Sequence, residues 1–152
     1  MSTLERAIEI AASAHAGQVD KGGQPYILHP LRVMMAVRMT EERIVAVLHD
    51  VIEDTEWTLD RLHAEGFSES VLNGLDAVTR RPGENYDDFV RRASRDVIGL
   101  NVKLEDLRDN ANLSRISRPT DVDRKRIEKY QRAIAWLTLT RNEAGRLVEQ
   151  RS

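Results

Sequence analysis

Apolar side chains recur at helical spacing along almost the whole chain, and no segment alternates with a period of two for long enough to predict a strand. The first helical segment runs from Leu4 to Ala16 and precedes Gly17, a residue type that often ends helices. A loop over residues 18–25 follows, and we expect a second helix from His29 to Met39, because Pro30 suits a first helical turn. The pattern predicts an all-α fold, with a single helical bundle.

Capping residues predict where the next helices begin. Thr58 suits the N-cap of a short helix that ends near Gly66. Ser68 suits the N-cap of the following helix, and Asn85 begins a sequence that resembles a capping box with aspartate in place of glutamate. Three further helices are therefore predicted between Thr58 and Gly99.

Two more elements are predicted in the last third of the chain. Gly99 interrupts the apolar pattern, so we expect a separate element from Asn101 to Ser114. After Pro119 a long helix is predicted from an apolar stripe at helical spacing, formed by Ile127, Tyr130, Ile134 and Leu137.

The apolar run Ile44–Leu48 is followed at once by acidic and imidazole side chains. They are His49, Asp50, Glu53 and Asp54, and the pattern predicts that the helix continues through them. Burying an ionised carboxylate without a partner costs several kcal/mol of folding free energy. The charges must therefore reach solvent, pair with an arginine, or bind a cation. The adjacent histidine and aspartate, with two acids one turn later, favour a divalent metal.

Composition restricts the chemistry of such a metal site. The chain has 152 residues, 41% hydrophobic and 32% charged, which is typical of one globular domain. The net charge of −2 gives no reason to expect binding to nucleic acid or to a membrane. No cysteine is present, so metal ligands must be histidines and carboxylates. The first residues lack the pattern of a signal peptide, and we expect a cytoplasmic protein.

Four potential metal ligands occur along the chain in the order His29, His49, Asp50 and Asp106. Two imidazoles and two carboxylates form a mixed set suited to manganese, iron or zinc. The set leaves positions for water and substrate, as in catalytic metal sites. Glu53 and Asp54 are not needed as ligands and could act on a metal-bound water. Asn110 lies one turn after Asp106 and could bind substrate.

The order His…His-Asp…Asp resembles the signature of the HD phosphohydrolase superfamily. Three blocks are similar to those of its RelA/SpoT hydrolase family: residues 21–30 (KGGQPYILHP), residues 48–55 (LHDVIEDT), and residues 102–106 (VKLED) with Asn110. The resemblance extends over roughly residues 7–137. It implies that residues 1–152 form one HD phosphohydrolase domain. Because the chain ends where a synthetase domain would follow, we expect a stand-alone small alarmone hydrolase.

What the resemblance implies about function is specific. The family uses one Mn²⁺ ion to hydrolyse the 3′-pyrophosphate of ppGpp and pppGpp, the alarmones of the stringent response, and releases pyrophosphate with GDP or GTP. The metal ligands would be His29, His49, Asp50 and Asp106. Glu53 and Asp54 would position or activate the attacking water. The nucleotide would contact Lys21, Asn110, Arg126 and Tyr130. A homodimer is compatible with the sequence.

Two departures from the family pattern leave the substrate open. Asp20 and Ala14 stand where the family usually has basic residues, so the rim of the pocket would be less positive. Hydrolysis of another nucleotide, such as NADPH or a nucleoside monophosphate, therefore remains an alternative. A nucleotide-sensing HD module without turnover is a second alternative, although a sensor would not need Glu53 and Asp54.

Overall fold

The computed structural model describes residues 1–152 and confirms the all-α prediction. The nine α-helices are α1 (Leu4–Ala14), α2 (Leu28–Ala36), α3 (Thr40–Leu48), α4 (Val51–Asp54), α5 (Leu59–Ala64), α6 (Glu69–Val78), α7 (Tyr86–Ala93), α8 (Val97–Asn110) and α9 (Asp121–Arg151). A 3₁₀ turn, Leu113–Arg115, separates the last two helices. The loop before α2 closes on itself through an isolated antiparallel bridge between Val19 and Pro25.

Helix α3 lies at the centre of the larger apolar core. Every side chain from Ile44 to Leu48 is buried, which explains why this run contains no polar residue. Helices α1, α2, α6 and α8 pack around it. Burial of one such aliphatic side chain contributes roughly 1.5–3 kcal/mol to folding. The C-terminal end of α3 is therefore held rigidly inside the protein.

Helix α8 connects this core to a second apolar cluster. Val102 packs in the larger core, whereas the cluster against α7 and α9 contains Val90, Leu100, Leu104, Leu107, Ala133 and Leu137. Asp106 follows Val102 by one helical turn, and residues four apart share a face of a helix. The packing of α8 therefore points Asp106 toward the end of α3.

Three predicted helix boundaries are wrong. Helix α1 ends at Ala14 instead of Ala16, because a turn begins at His15. Helix α2 ends at Ala36 instead of Met39, because Val37 is extended, with φ −105° and ψ 164°. The helix predicted to continue from Ile44 through Asp54 is interrupted after Leu48, and α4 begins at Val51. Asp50 lies in the interruption with φ −100° and ψ −4°. The break falls at His49 and Asp50, two of the four residues that were predicted to bind a metal.

The predicted interruption at Gly99 is also wrong. Helix α8 begins at Val97, passes through Gly99 and ends at Asn110, so the element does not run from Asn101 to Ser114. A Cβ atom at Gly99 would lie 2.8 Å from Cβ of Ala77 and 3.0 Å from the carbonyl oxygen of Ala93. This glycine allows neighbouring helices to approach closely and does not end a helix.

The predicted N-caps are confirmed. The side chains of Thr58, Ser68 and Asn85 each accept a hydrogen bond from a backbone N–H in the first turn of their helices. The long C-terminal helix has a complete capping box formed by Thr120 and Asp123. None of the helices combines the length and the apolar character needed to cross a membrane.

Candidate metal centre and adjoining cavity

Three elements bring the four predicted metal ligands together. His29 lies in the first turn of α2, His49 and Asp50 lie between α3 and α4, and Asp106 lies in α8. The interruption of the helix allows two consecutive residues to reach one point, since Nε2 of His49 lies 3.0 Å from Oδ2 of Asp50. All four side chains are largely enclosed by protein.

The donor atoms of these residues converge. Nε2 of His29 lies 3.3 Å from Nε2 of His49, and Oδ1 of Asp106 lies 3.0 Å and 3.2 Å from the two nitrogens. One ligand atom from each of His29, His49 and Asp50 lies within 4.8 Å of the others. Two donors about 2.1 Å from one ion, at about 90–120°, are themselves about 3.0–3.6 Å apart. The spacing therefore suits a single divalent ion.

Hydrogen bonds on the far side of each ring fix which nitrogen faces the cluster. Nδ1 of His29 lies 2.6 Å from Oδ2 of Asp109, and Nδ1 of His49 lies 2.6 Å from the carbonyl oxygen of Ala46. A carboxylate and a carbonyl only accept, so both Nδ1 atoms carry the proton. In the neutral rings both Nε2 atoms then present lone pairs to each other and to Asp106. Either a proton or a metal ion between these atoms would relieve the repulsion, and the donor set fits a metal.

The electrostatics of the cluster follow from the same geometry. Burial lowers the pKa of His29 and His49, but the adjacent carboxylates raise it more, so both pKa values lie above the ordinary one. Burial raises the pKa of Asp50 and Asp106, but the imidazoles lower it more, with Lys103 the larger influence at Asp106. Protons would therefore compete with any metal ion for the same atoms.

The two predicted catalytic acids lie at the rim of this cluster. Glu53 and Asp54 are both on the short helix α4 and exposed to solvent on one side. Oε1 of Glu53 accepts a hydrogen bond of 2.5 Å from the backbone N–H of Arg80. Desolvation and then the Asp50 carboxylate raise the pKa of Asp54, and desolvation raises the pKa of Glu53. A carboxylate with a raised pKa is a better proton acceptor.

A cavity of about 340 Å³ connects the ligand cluster to solvent, with His29 in its wall. All four residues predicted to contact the nucleotide line this cavity: Lys21, Asn110, Arg126 and Tyr130. Nδ2 of Asn110 donates a 3.0 Å hydrogen bond to Oδ1 of Asp106, so it already contacts a predicted ligand. Nζ of Lys21 pairs with Asp123 at 3.2 Å across the cavity.

The structure of the loop that contains Lys21 explains why an aspartate, Asp20, stands where the family usually has a basic residue. Oδ1 of Asp20 accepts backbone hydrogen bonds from Gly22 at 2.8 Å and from Gln24 at 2.9 Å, so the carboxylate organises the loop. A Cβ atom at Gly22 would lie 2.5 Å from the carbonyl oxygen of Arg115, so a glycine is needed where the loop meets the 3₁₀ turn. Asp20 therefore lines the cavity with its charge partly compensated.

Several residues of the centre were not predicted from the sequence. Tyr26 donates a short hydrogen bond to Asp50, and Nζ of Lys103 lies 3.1 Å from Oδ2 of Asp106. Asp109 contacts His29 and two arginines of the cavity wall, Arg32 and Arg115. Helical spacing offers a signal for some of them, because Lys103 and Asp109 both lie three residues from Asp106.

The fold and the convergent donors define a helical protein with a candidate histidine–carboxylate metal centre. No protein-family model matches the chain. A guanosine-3′,5′-bis(diphosphate) 3′-pyrophosphohydrolase of Aquifex aeolicus is 33% identical over 83% of the chain and 19% of the relative. The corresponding protein of Haemophilus influenzae is 35% identical over 79% of the chain and 20% of the relative. A probable GTP pyrophosphokinase of Mycobacterium leprae is 33% identical over 86% of the chain and 18% of the relative.

A solved structure has a fold similar to that of this protein. It is described as a metazoan orthologue of SpoT that hydrolyses ppGpp and has a role in starvation responses; it is 20% identical, and the match covers 97% of this chain and 96% of that one with a TM-score of 0.75. The chain spans about a fifth of the length of the sequence relatives that it matches. It is related to the RelA/SpoT-type hydrolases, as its motifs predict.

Proposed function

We propose that this protein is a Mn²⁺-dependent hydrolase that removes the 3′-pyrophosphate from guanosine 3′,5′-bis(diphosphate) and from pppGpp. The main support is the convergence of His29, His49, Asp50 and Asp106 beside a cavity that Lys21, Asn110, Arg126 and Tyr130 line. The names of relatives from Aquifex aeolicus, Haemophilus influenzae and Vibrio cholerae give this activity for those proteins.

The proposed metal site is held by the two histidines and two aspartates of the cluster. A bound ion supplies Lewis-acid polarisation of a phosphoryl oxygen and acidifies water. Lys103 offsets part of the negative charge on Asp106 through its 3.1 Å contact. Tyr26 hydrogen-bonds Asp50 and so restricts the rotation of that carboxylate. These contacts preorganise the donors before substrate binds.

The hydrolysis itself adds water to the phosphorus that is attached to the 3′ oxygen. In the proposed reaction Asp54 accepts a proton from the water, consistent with its raised pKa. Glu53, which Arg80 holds through its backbone N–H, orients the same water. The P–O3′ bond breaks with the 3′ oxygen as the leaving group, this oxygen takes up the proton that Asp54 accepted, and pyrophosphate is released with GDP or GTP. Basic side chains of the cavity, Lys21, Arg32, Arg115 and Arg126, stabilise the charge of the phosphates.

A product assay tests this function. Purified protein with Mn²⁺ is incubated in separate reactions with ppGpp, pppGpp, NADPH or a nucleoside monophosphate. Released pyrophosphate and phosphate are both measured. We expect equal amounts of pyrophosphate and GDP from ppGpp, and none with Asp106→Asn. Cleavage of another nucleotide while ppGpp stays intact would contradict the proposed substrate. Binding of metal and nucleotide without any turnover would favour the sensing module. The matched control is Asp76→Asn, at a half-exposed carboxylate that pairs with Arg81 outside the cavity.

The proposed activity belongs to the whole chain. Because α8 contributes to both apolar clusters, residues 1–152 are best interpreted as one HD phosphohydrolase domain. The expected location is the cytoplasm, where the guanine nucleotides of the proposed reaction occur.

A further inference from the structure

One carboxylate, Asp109, joins the ligand cluster to the cavity wall. It lies on α8, three residues after Asp106, and its side chain is only 13% exposed. Its oxygens contact three basic groups: Nδ1 of His29 at 2.6 Å, Nε and Nη2 of Arg32 at 2.9 Å and 3.1 Å, and both terminal nitrogens of Arg115 at 3.2 Å. The family motifs assign no role to this position.

We propose that Asp109 is a positioning residue with two tasks. It sets the tautomer and orientation of His29 for metal binding, and it holds Arg32 and Arg115 in the cavity wall as a binding surface for the phosphates of an anionic substrate. The proposal rests on the metal centre and the anionic substrate of the proposed function.

The first task follows from the hydrogen bond to His29. A carboxylate only accepts, so it keeps the proton on Nδ1 and leaves Nε2 free to bind a metal. Carboxylates behind metal-binding imidazoles orient the ring and raise its basicity, and their loss typically weakens metal binding about 10- to 100-fold. His49 obtains the same orientation from the carbonyl oxygen of Ala46, a main-chain atom. Asp109 is therefore the side chain through which the orientation of a histidine ligand can be changed by mutation.

The second task follows from the two guanidinium groups. Arg32 and Arg115 come from different elements, α2 and the 3₁₀ turn, yet both line the cavity and both meet at Asp109. Nη2 of Arg115 also donates to the main-chain oxygen of Asp109 at 2.5 Å, which further restricts this arginine. One carboxylate facing two guanidinium groups leaves a net positive charge, and each guanidinium keeps N–H donors for a phosphate.

Two substitutions test the proposal. Asp109→Asn removes the charge at constant size, and Asp109→Leu removes every acceptor. Mn²⁺ affinity is measured by calorimetry, and the tautomer of His29 is measured from the ¹⁵N shifts of its ring in the metal-free protein at alkaline pH. We expect both variants to bind Mn²⁺ about 10- to 100-fold more weakly. We also expect His29 in Asp109→Leu to become a mixture of tautomers, and the KM for ppGpp to rise in both variants.

The controls separate this proposal from the proposed function. Asp76→Asn should leave Mn²⁺ affinity and the His29 shifts unchanged. Arg115→Ala should raise the KM without altering the His29 tautomer, which separates the two tasks. If the wild-type protein cleaves no alarmone while both Asp109 variants still lose Mn²⁺ affinity, the substrate is wrong and the role of Asp109 stands. Unchanged Mn²⁺ affinity and unchanged His29 shifts overturn the proposal whatever the activity. If Asp109→Leu does not fold, Asp109→Asn decides.

Discussion

The carboxylate of Glu53 accepts a hydrogen bond from the backbone N–H of Arg80, with 2.5 Å between oxygen and nitrogen. This contact ties the short helix α4 to the segment that follows α6. Asp54, the next residue, has no comparable tie to another part of the chain. The two neighbouring acids therefore differ in what they do for the fold, and their substitutions should separate catalysis from stability.

Asp54→Asn should lower turnover without affecting metal content. Removing the proton acceptor of the proposed reaction is expected to reduce kcat about 10²- to 10⁴-fold, the usual contribution of general base catalysis. The metal content and the thermal unfolding midpoint should match those of the wild-type protein, because Asp54 is not a proposed metal ligand and its side chain makes no structural hydrogen bond. Unchanged kcat would remove the role proposed for Asp54.

Glu53→Ala should reduce both turnover and stability. The variant loses the hydrogen bond to Arg80, which contributes about 1 kcal/mol to the free energy of unfolding. Urea unfolding measures this loss, and Asp54→Ala is the matched control on the same helix. Equal stability of the two alanine variants would show that the contact between Glu53 and Arg80 does not stabilise α4.

Metal binding should stabilise the folded protein. A ligand that binds only the native state at 100 times its Kd raises the free energy of unfolding by about 2.7 kcal/mol. In a protein of this size each kcal/mol shifts the Tm by about 2–4 °C. We therefore expect the Tm to rise by roughly 5–10 °C when Mn²⁺ is added to chelator-treated protein. Asp106→Asn should show a much smaller rise, and an equal rise in both proteins would place the binding elsewhere.

The sequence predicts the helices, the N-caps and the convergent residues, because these depend on local periodicity and on recognisable motifs. It does not predict the break at His49 and Asp50, since both residues keep near-helical backbone angles and their apolar neighbours continue the pattern. Gly99 shows the opposite error. Its role depends on Ala77, a contact that only the packed structure reveals. Two partners of Asp109, His29 and Arg32, are similarly distant in sequence. The metal roles of the four ligands stay predictions.

Gly99→Ala and Gly145→Ala should change stability in opposite directions. The added methyl group at Gly99 would meet Cβ of Ala77 at 2.8 Å, and such overpacking costs about 1–3 kcal/mol. Gly145 lies within α9 with nothing within 4 Å of the new Cβ, so alanine there should stabilise the helix by up to about 1 kcal/mol. Chemical unfolding of both variants checks the signs. A stabilised Gly99→Ala variant would contradict the close packing of α6 and α8.

The ion pair of Glu84 and Arg92 should make stability depend on acidic pH. Nε of Arg92 lies 2.8 Å from Oε2 of Glu84, and the same guanidinium donates to the carbonyl oxygens of Asp76 and Thr79, both at 2.7 Å. The hydrogen bonds from Arg92 lower the pKa of Glu84 from 4.5 to about 2. A carboxylate whose pKa is lower in the folded state contributes its full stability above the unfolded value of 4.5. That contribution is lost as the pH falls from there to about 2.

Glu84→Gln isolates this contribution from the titration of other carboxylates. We expect the variant to have a lower Tm than the wild-type protein at pH 7, and the difference between them to shrink steadily as the pH falls below about 4.5 toward 2. Glu128→Gln, an exposed carboxylate on α9, is the matched control and should follow the wild-type curve throughout. A difference between Glu84→Gln and the wild type that stays constant down to the lowest pH would mean that Arg92 does not lower the pKa of Glu84.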